Sequence, residues 1–451
     1  MAFIGSNWWI QMIKQDYIDQ IKQLLPSFLQ NQRWFADSNS EIEISSWQVL
    51  KQDFPALVQI LVQTPKSLYQ VIVSIHEKDR NIHIGDGFFI GQINSEEKIL
   101  DVYEIVGDHL LAKYLLDMIT NTNYDSQTVR ALGLEQSNSS LVYDEKLILK
   151  IFRRLHRGTN PEVEMNEALD RVGFNHLAAP VALWKNDDFD FAYLQEFLAG
   201  GTEGWALALT SLRDLFASGV SPEEAGGDFF PEAGRLGEMT AKLHSSLAKA
   251  FGVYEAEPSQ WISSMSTMVE NIEDILDPEL KDKALDLFSK LSSLSDVGAS
   301  IRIHGDYHLG QVMRTDLGWF VLDFEGEPAL SFDKRRQVRS PLKDIAGFLR
   351  SLHYAVEVSK MNQDSLQDQE VDQLGLEWQR RNRNGFLEAY LSSPLIQDLL
   401  PQDPMALQIL LHLHEMEKAA YEIAYENSQR PNWLPIPLGA FSKLANQTFG
   451  K

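Results

Sequence analysis

The run from Ile303 to Pro328, IHGDYHLGQVMRTDLGWFVLDFEGEP, sets Asp306 five residues ahead of Gln311 and ends an apolar stretch, Trp319 to Leu322, on Asp323-Phe324-Glu325. A phosphoryl donor such as ATP carries several negative charges, so hard oxygen ligands must hold Mg²⁺ against its phosphates. Gln311 and Asp323 supply such oxygens. A further carboxylate has to orient the acceptor hydroxyl and accept its proton, a contribution of roughly 10²–10⁴ in rate, and Asp306 is placed for it. The run therefore reads as a catalytic loop, a short hairpin and a metal-binding turn.

Either triplet, His304-Gly305-Asp306 or Asp323-Phe324-Glu325, carries little weight alone, because short motifs arise often by chance. Their order, the amide at the intermediate offset and the apolar strand between them point together to kinase chemistry. Gln311 stands where protein kinases carry Asn, and Glu325 where they carry Gly, which directs the reading to small-molecule kinases. Arg335, Arg336 and the segment Ser340 to Asp344 follow closely enough to orient the loop, with Asp344 either bonding its backbone or capping a helix.

A phosphate-positioning lysine is expected upstream. In Ser137-Asn138-Ser139-Ser140, Leu141 to Tyr143, the turn Asp144-Glu145 and the strand Leu147 to Phe152, Lys150 lies between apolar neighbours, where a lysine is costly without a partner. Glu164, on the helix opened by Asn160-Pro161, is the expected partner, and Glu167 competes one turn later. Alternatively, Lys150 reaches solvent from an edge strand. With no G-x-G-x-x-G and no Walker A motif, Ser137 and Ser139 are candidates to help backbone N–H groups hold phosphates. Gln195 and Phe197, followed by Ala199-Gly200-Gly201, resemble a hinge whose backbone binds adenine.

The remaining pattern supplies the frame. Residues 14–30 are expected to be helical, followed by strands near 41–44, 57–62 and 69–75, and a helix over 107–119. Strands at Val181–Trp184 and Ala192–Phe197 precede a helical region in which Leu236, Met239, Leu243 and Leu247 mark an apolar face and His244 packs. Further helices fill 259–295 and the chain beyond Leu342, with a polar loop at Asn362–Asp372. Near the end, Glu415, Lys418, Glu422 and Tyr425 share one side of a helix. Spacing allows a surface helix with i, i+4 charge pairing, Lys418 to Glu422 among the pairs, or a sugar-binding wall with Tyr425 or Trp433 as platform.

The chain has 451 residues, 44% apolar and 23% charged, ordinary for a globular protein of two or three domains. It contains no cysteine, which excludes disulfides, thiolate metal sites and thiol nucleophiles. A net charge of −24 argues against nucleic acid or anionic membrane as partner. No signal-like or membrane-spanning run stands out, so a cytoplasmic location is the expectation.

QRWFA at Gln32, SLVYDEKLILKIFRRL at Ser140, HGDYHLGQVMRT at His304, GWFVLDFEGEP at Gly318 and EKAAYEIAYE with RPNWLPIPL near the end span the chain. Together they resemble the maltokinases, bacterial members of the aminoglycoside-phosphotransferase and protein-kinase-like group. The resemblance implies an α+β, bilobal protein-kinase-like fold: an N-terminal cap subdomain (1–90), an intermediate nucleotide-binding subdomain (91–200) and a mostly helical C-lobe (201–451). It implies ATP- and Mg²⁺-dependent phosphorylation of maltose at its anomeric hydroxyl for α-glucan synthesis, with association to a trehalose synthase in trans. By position it makes Asp306 the base, Gln311 and Asp323 the metal ligands, and Lys150 with Glu164 the phosphate-positioning pair. Candidate sugar contacts are His304, Glu325, Lys418, Tyr421, Glu422, Tyr425 and Trp433. Glucosamine kinases share the catalytic loop, and an acidic cluster from Glu415, Glu417, Glu422 and Glu426 would favour an amino sugar. A nucleotide-binding scaffold without catalysis is the remaining alternative.

Overall fold

The structure is a computed structural model that describes residues 13–37, 40–78, 84–95, 98–133, 138–327, 330–361 and 368–447. It divides into two compact units, one of residues 1–160 and 178–199, the other of residues 161–177 and 200–451.

The first unit opens with α1 (Gln15–Leu29), which buries Ile18, Ile21 and Leu25 on one face. Next come β1 (Glu43–Lys51), β2 (Ala56–Gln63), β3 (Leu68–Glu77), β4 (Phe89–Asn94) and β5 (Ile99–Glu104), all antiparallel in the order β1-β2-β3-β5-β4. This sheet runs on past residue 90 to Glu104. After α2 (His109–Thr120), a second antiparallel sheet has the order β10-β11-β8-β7-β6, from β6 (Val129–Leu132), β7 (Asn138–Tyr143), β8 (Leu147–Phe152), β10 (Pro180–Lys185) and β11 (Asp190–Glu196). The short β9 (Arg154–Leu155) joins β3. Asp144 and Glu145, both at φ 52°, form the tight turn between β7 and β8, a geometry suited to two-residue hairpins.

A buried polar knot ties the two sheets of this unit together. Gln70 Nε2 donates to the carbonyls of Phe152 (3.0 Å) and Phe191 (2.9 Å), and Gln59 donates to Gln70 Oε1. Arg153, almost fully buried, donates to Glu104 and to the Ser139 hydroxyl. Buried polar groups are tolerated where their bonds are made, and these also set the register between sheets.

The second unit holds α3 (Pro161–Arg171), β12 (Thr202–Glu203), α4 (Gly204–Ser218), α5 (Phe230–Phe251), β13 (Tyr254–Glu255), α6 (Pro258–Glu270), α7 (Pro278–Ser289) and β14 (Ala299–Ser300). It continues with β15 (Val312–Thr315), β16 (Gly318–Val321), α8 (Phe332–Arg335), α9 (Leu342–Met361), α10 (Asp368–Leu391), α11 (Pro404–Gln429) and α12 (Pro435–Ala445). β12, β15 and β16 make a three-stranded sheet, and β13 pairs with β14. Helices α5, α9, α10 and α11 bury one continuous apolar core around Phe348, Trp378, Phe386 and Met416. The polar segment expected to be a loop at 362–372 is helical from Asp368, where α10 begins.

Two expectations for α5 and α11 change on folding. His244 is fully buried, yet it does more than pack: it bonds the Tyr390 hydroxyl at 2.8 Å and lies 3.2 Å from Asp344. Helix α11 is no surface helix, since Leu410, Leu413, Met416, Ala420 and Ile423 join the core and most of its acidic residues are buried. No helix among the described residues is long and apolar enough to cross a membrane.

Candidate active site

The loop that bears Asp306 hangs from α9. Asp344, in the first turn of that helix and buried, accepts the backbone N–H groups of His304 (2.8 Å) and Gly305 (2.9 Å). Burial opposes its charge, and His244, His304 and these donated bonds together hold its carboxyl below the ordinary range. Gly347, one turn on, packs so closely that a Cβ would meet the Tyr307 carbonyl at 2.7 Å, which fixes helix and loop at backbone contact. His304 is buried with both ring nitrogens engaged: Nε2 faces the Leu322 carbonyl at 2.9 Å and Nδ1 the Asp306 N–H at 3.3 Å. It is therefore a loop-holding residue and not a sugar contact. A buried imidazole must satisfy both nitrogens, and here the chain does so.

Asp306 meets Lys418, contributed by α11, at 3.0 Å between Oδ1 and Nζ, while His308 Nε2 stands 3.8 Å from Oδ2. Burial would raise the Asp306 carboxyl, but Lys418 and His308 overcome it and hold it far below the usual carboxylate range. Lys418 is pushed upward in turn by Asp306, Glu327 and Glu422 against the burial that opposes its charge. Spacing alone allowed Lys418 to pair with Glu422; instead Glu422 is taken by Arg350, with Nε and Nη2 at 2.9 and 2.6 Å. Glu415 is held by Arg383, Glu417 by Lys343 and His414, and Glu426 by Arg430. The four glutamates considered as an ammonium-binding cluster each face a cation of their own. Replacing Arg350 with Met strands Glu422 as a buried charge, and an expected loss of roughly 3–5 kcal/mol is readable by urea denaturation.

Removing Lys418 changes the acid limb of activity. In Lys418→Met the ammonium that offsets burial is gone, so the Asp306 pKa rises. Because protonated Asp306 cannot take a proton, the acid-side fall of kcat/KM moves to higher pH than in the wild type. A pH–rate profile measured on both proteins checks this, and superimposable acid limbs would contradict it.

Beyond the loop, β16 ends at Val321, and the N–H of the next residue, Leu322, donates to the Gln311 carbonyl at 2.9 Å. Asp323 follows in the left-handed region, φ 53°, an uncommon conformation for a residue other than glycine and one held by its surroundings. Its Oδ2 lies 3.4 Å from the Gln311 side-chain amide. Glu162, Asp323 and Glu325 place carboxylate oxygens within 4.8 Å of one another. Three carboxylates grouped this closely offer hard oxygens of the kind a divalent cation takes, while Gln311 turns its NH2 group to Asp323. Glu325 thus groups with the metal-type ligands and not with the sugar candidates.

Glu162 was not singled out from sequence; Glu164 was. Two residues apart on a helix point to different faces, and Glu164 turns to Arg336 (2.8 Å) and Arg302 (3.6 Å) within its own unit. Burial lowers the Arg302 guanidinium to about 10 despite Glu164. Glu167 is exposed on α3.

The other candidates fall as follows. Lys150 sits on β8, the middle strand of the second sheet, opposite Ser140 and Tyr193, which removes the edge-strand reading. Ser139 lies inside β7 with its hydroxyl on Arg153, and Ser137 lies outside the described residues. Gln195 pairs with Ile148, and the Phe197 N–H is spent on the Lys146 carbonyl at 2.7 Å, so that group is not a donor for adenine. Tyr421 and Tyr425 stack at 6.3 Å along α11, with Lys418 Nζ over the Tyr421 ring at 4.7 Å. Burial pushes the Tyr421 phenol up to about 12 despite Lys418. Arg430 lies over both Tyr425 and Trp433.

The fold is a mixed α/β, protein-kinase-like one. Residues 127–326 match the family model described as "Phosphotransferase enzyme family". The chain is 25% identical over 328 residues to a glucosamine kinase from Streptacidiphilus jiangxiensis, covering 68% of this chain and 71% of that protein. A glucosamine kinase from Mycolicibacterium smegmatis (strain ATCC 700084 / mc(2)155) is also 25% identical, over 349 residues, or 73% of this chain and 83% of the relative. Among solved structures, a glucosamine kinase superposes with a TM-score of 0.65 at 20% identity, covering 93% of this chain and 97% of the other.

Proposed function

We propose that this chain transfers the γ-phosphoryl group of ATP to a sugar hydroxyl. The observation that carries the reading is the Asp306 loop, fixed by Asp344 and charged by Lys418, in the same unit as the Glu162, Asp323 and Glu325 oxygens. The hydroxyl oxygen attacks phosphorus, the bond from phosphorus to the β–γ bridging oxygen breaks, and ADP leaves while the hydroxyl proton passes to Asp306. A loose phosphoryl transition state asks little of a base early on, so Asp306 orients the nucleophile first and accepts its proton late. Oδ1 is committed to Lys418, and Oδ2, with His308 Nε2 3.8 Å away, is the oxygen proposed to meet the acceptor. Mg²⁺, where bound, supplies charge neutralisation of the phosphates; Glu162, Asp323, Glu325 and Gln311 are the groups to hold it.

For the acceptor, the relatives' name favours glucosamine. Maltose is the second reading, supported by the resemblance of the C-terminal motifs. The test is ADP release with Mg²⁺-ATP and, separately, glucosamine, maltose, glucose or kanamycin, with the product examined for its reducing end. Turnover of glucosamine supports the first acceptor; turnover of maltose with loss of the reducing end supports the second. Silence on all four by folded protein removes both acceptor readings.

A further inference from the structure

Beside the catalytic loop, the second unit contains a cavity of about 580 Å³, within the range of small-molecule sites. One wall is the outer face of α6. Trp261, Met265 and Val269 face the core, which turns Ser259, Ser263, Thr267 and Asn271, spaced four apart, to the cavity. Such a row of hydroxyls and an amide offers donors and acceptors to a polyhydroxylated molecule. Gly305, next to Asp306, and Glu327 belong to the lining as well, so the cavity reaches the loop that carries the base.

Another part of the lining is cationic, in a chain whose net charge is −24. Arg339 donates to neutral oxygens, the Gln337 amide at 2.6 Å and the Val338 carbonyl at 3.4 Å. Lys334 is exposed, and among the described residues no carboxylate is recorded against it or against Arg339. Arg335 donates to the carbonyls of Leu330 and Glu325. By contrast Lys343, deeper in, is committed to Glu417 and Glu327. Elsewhere in this unit buried cations face carboxylates, as Arg350, Arg383 and Lys418 do. Lys334 and Arg339, an ammonium and a guanidinium lining one cavity with no carboxylate partner among the described residues, are the kind of groups that recognise phosphate or carboxylate.

We infer that this cavity receives an anionic group, phosphate or carboxylate, carried by the sugar acceptor outside the ring that is phosphorylated. The inference rests on the sugar-kinase reading and deepens it: glucosamine and maltose are then minimal acceptors, and an acidic sugar is the better one.

The test compares ADP release from Mg²⁺-ATP with glucose, glucosamine, maltose, glucuronate, glucose 1-phosphate and glucose 6-phosphate, for the wild type and the double variant Lys334→Met/Arg339→Met. The expected result is a KM for at least one anionic sugar 10-fold or more below that for glucose. The double variant is expected to raise that KM by roughly 10–100-fold, as loss of charged hydrogen bonds does, with kcat on neutral sugars unchanged. Preference for glucuronate or for the sugar phosphates tells carboxylate from phosphate. Equal KM values for neutral and anionic sugars, unmoved by the double variant, would overturn the inference. If no sugar is turned over, the sugar-kinase reading falls, and calorimetric titration with the same sugars decides the cavity separately. Binding of an anionic sugar but not glucose, lost in the double variant, upholds it; no binding of any overturns it.

Discussion

Asp306→Asn is expected to lower kcat by roughly 10²–10⁴ while nucleotide affinity stays near the wild-type value. The amide keeps the size of the carboxylate and can still accept from Lys418 through its oxygen, so the loop, held by Asp344 and His304, retains its shape. What is lost is the group that takes the acceptor proton and the negative charge that aligns the hydroxyl. Steady-state turnover with saturating acceptor, together with ADP binding by calorimetry, separates the two effects. Turnover within a few-fold of wild type would remove Asp306 from the role of base, and a parallel collapse of ADP affinity would mark the loss as structural.

Asp323→Asn is the second large effect, roughly 10²-fold or more in kcat/KM, with a raised Mg²⁺ requirement. Metal-holding carboxylates supply both charge and geometry, and even groups behind the ligands typically cost 10–100-fold in metal affinity when changed. Asp323 also sits at φ 53°, which asparagine tolerates about as well as aspartate, so the substitution isolates charge from backbone strain. Activity measured across a Mg²⁺ titration, with thermal stability as the control for folding, reads the change. An unaltered Mg²⁺ dependence would assign the metal to Glu162 and Glu325 without Asp323.

Much of the candidate site is local in sequence and so could be read before folding. His304, Gly305, Asp306, Gln311, Asp323 and Glu325 fall within one loop, hairpin and turn, where short-range geometry and an apolar strand dictate which atoms approach. The periodicities of α5 and of the early strands were legible for the same reason: an apolar face has one period in a helix and another in a strand. The kinase-like class follows from that hairpin together with the lysine-bearing strand upstream.

Partner choice over long range was decided only by packing. The sequence offers Lys418 an equally spaced Glu422, yet burial of α11 turns Lys418 to Asp306, 112 residues away, and gives Glu422 to Arg350, 72 residues away. The phase of α3 determines that Glu162, not Glu164, joins Asp323 and Glu325, because a helix two residues on has rotated to another face. His304 and Glu325 carry the right chemistry for sugar, but burial spends the first on the loop backbone and proximity groups the second with the metal-type oxygens. Residue types and local spacing carried the reading of the reaction class; which charges are neutralised, and which remain to meet a ligand, depended on a low-dielectric interior that requires each buried charge to find a partner wherever the fold brings one.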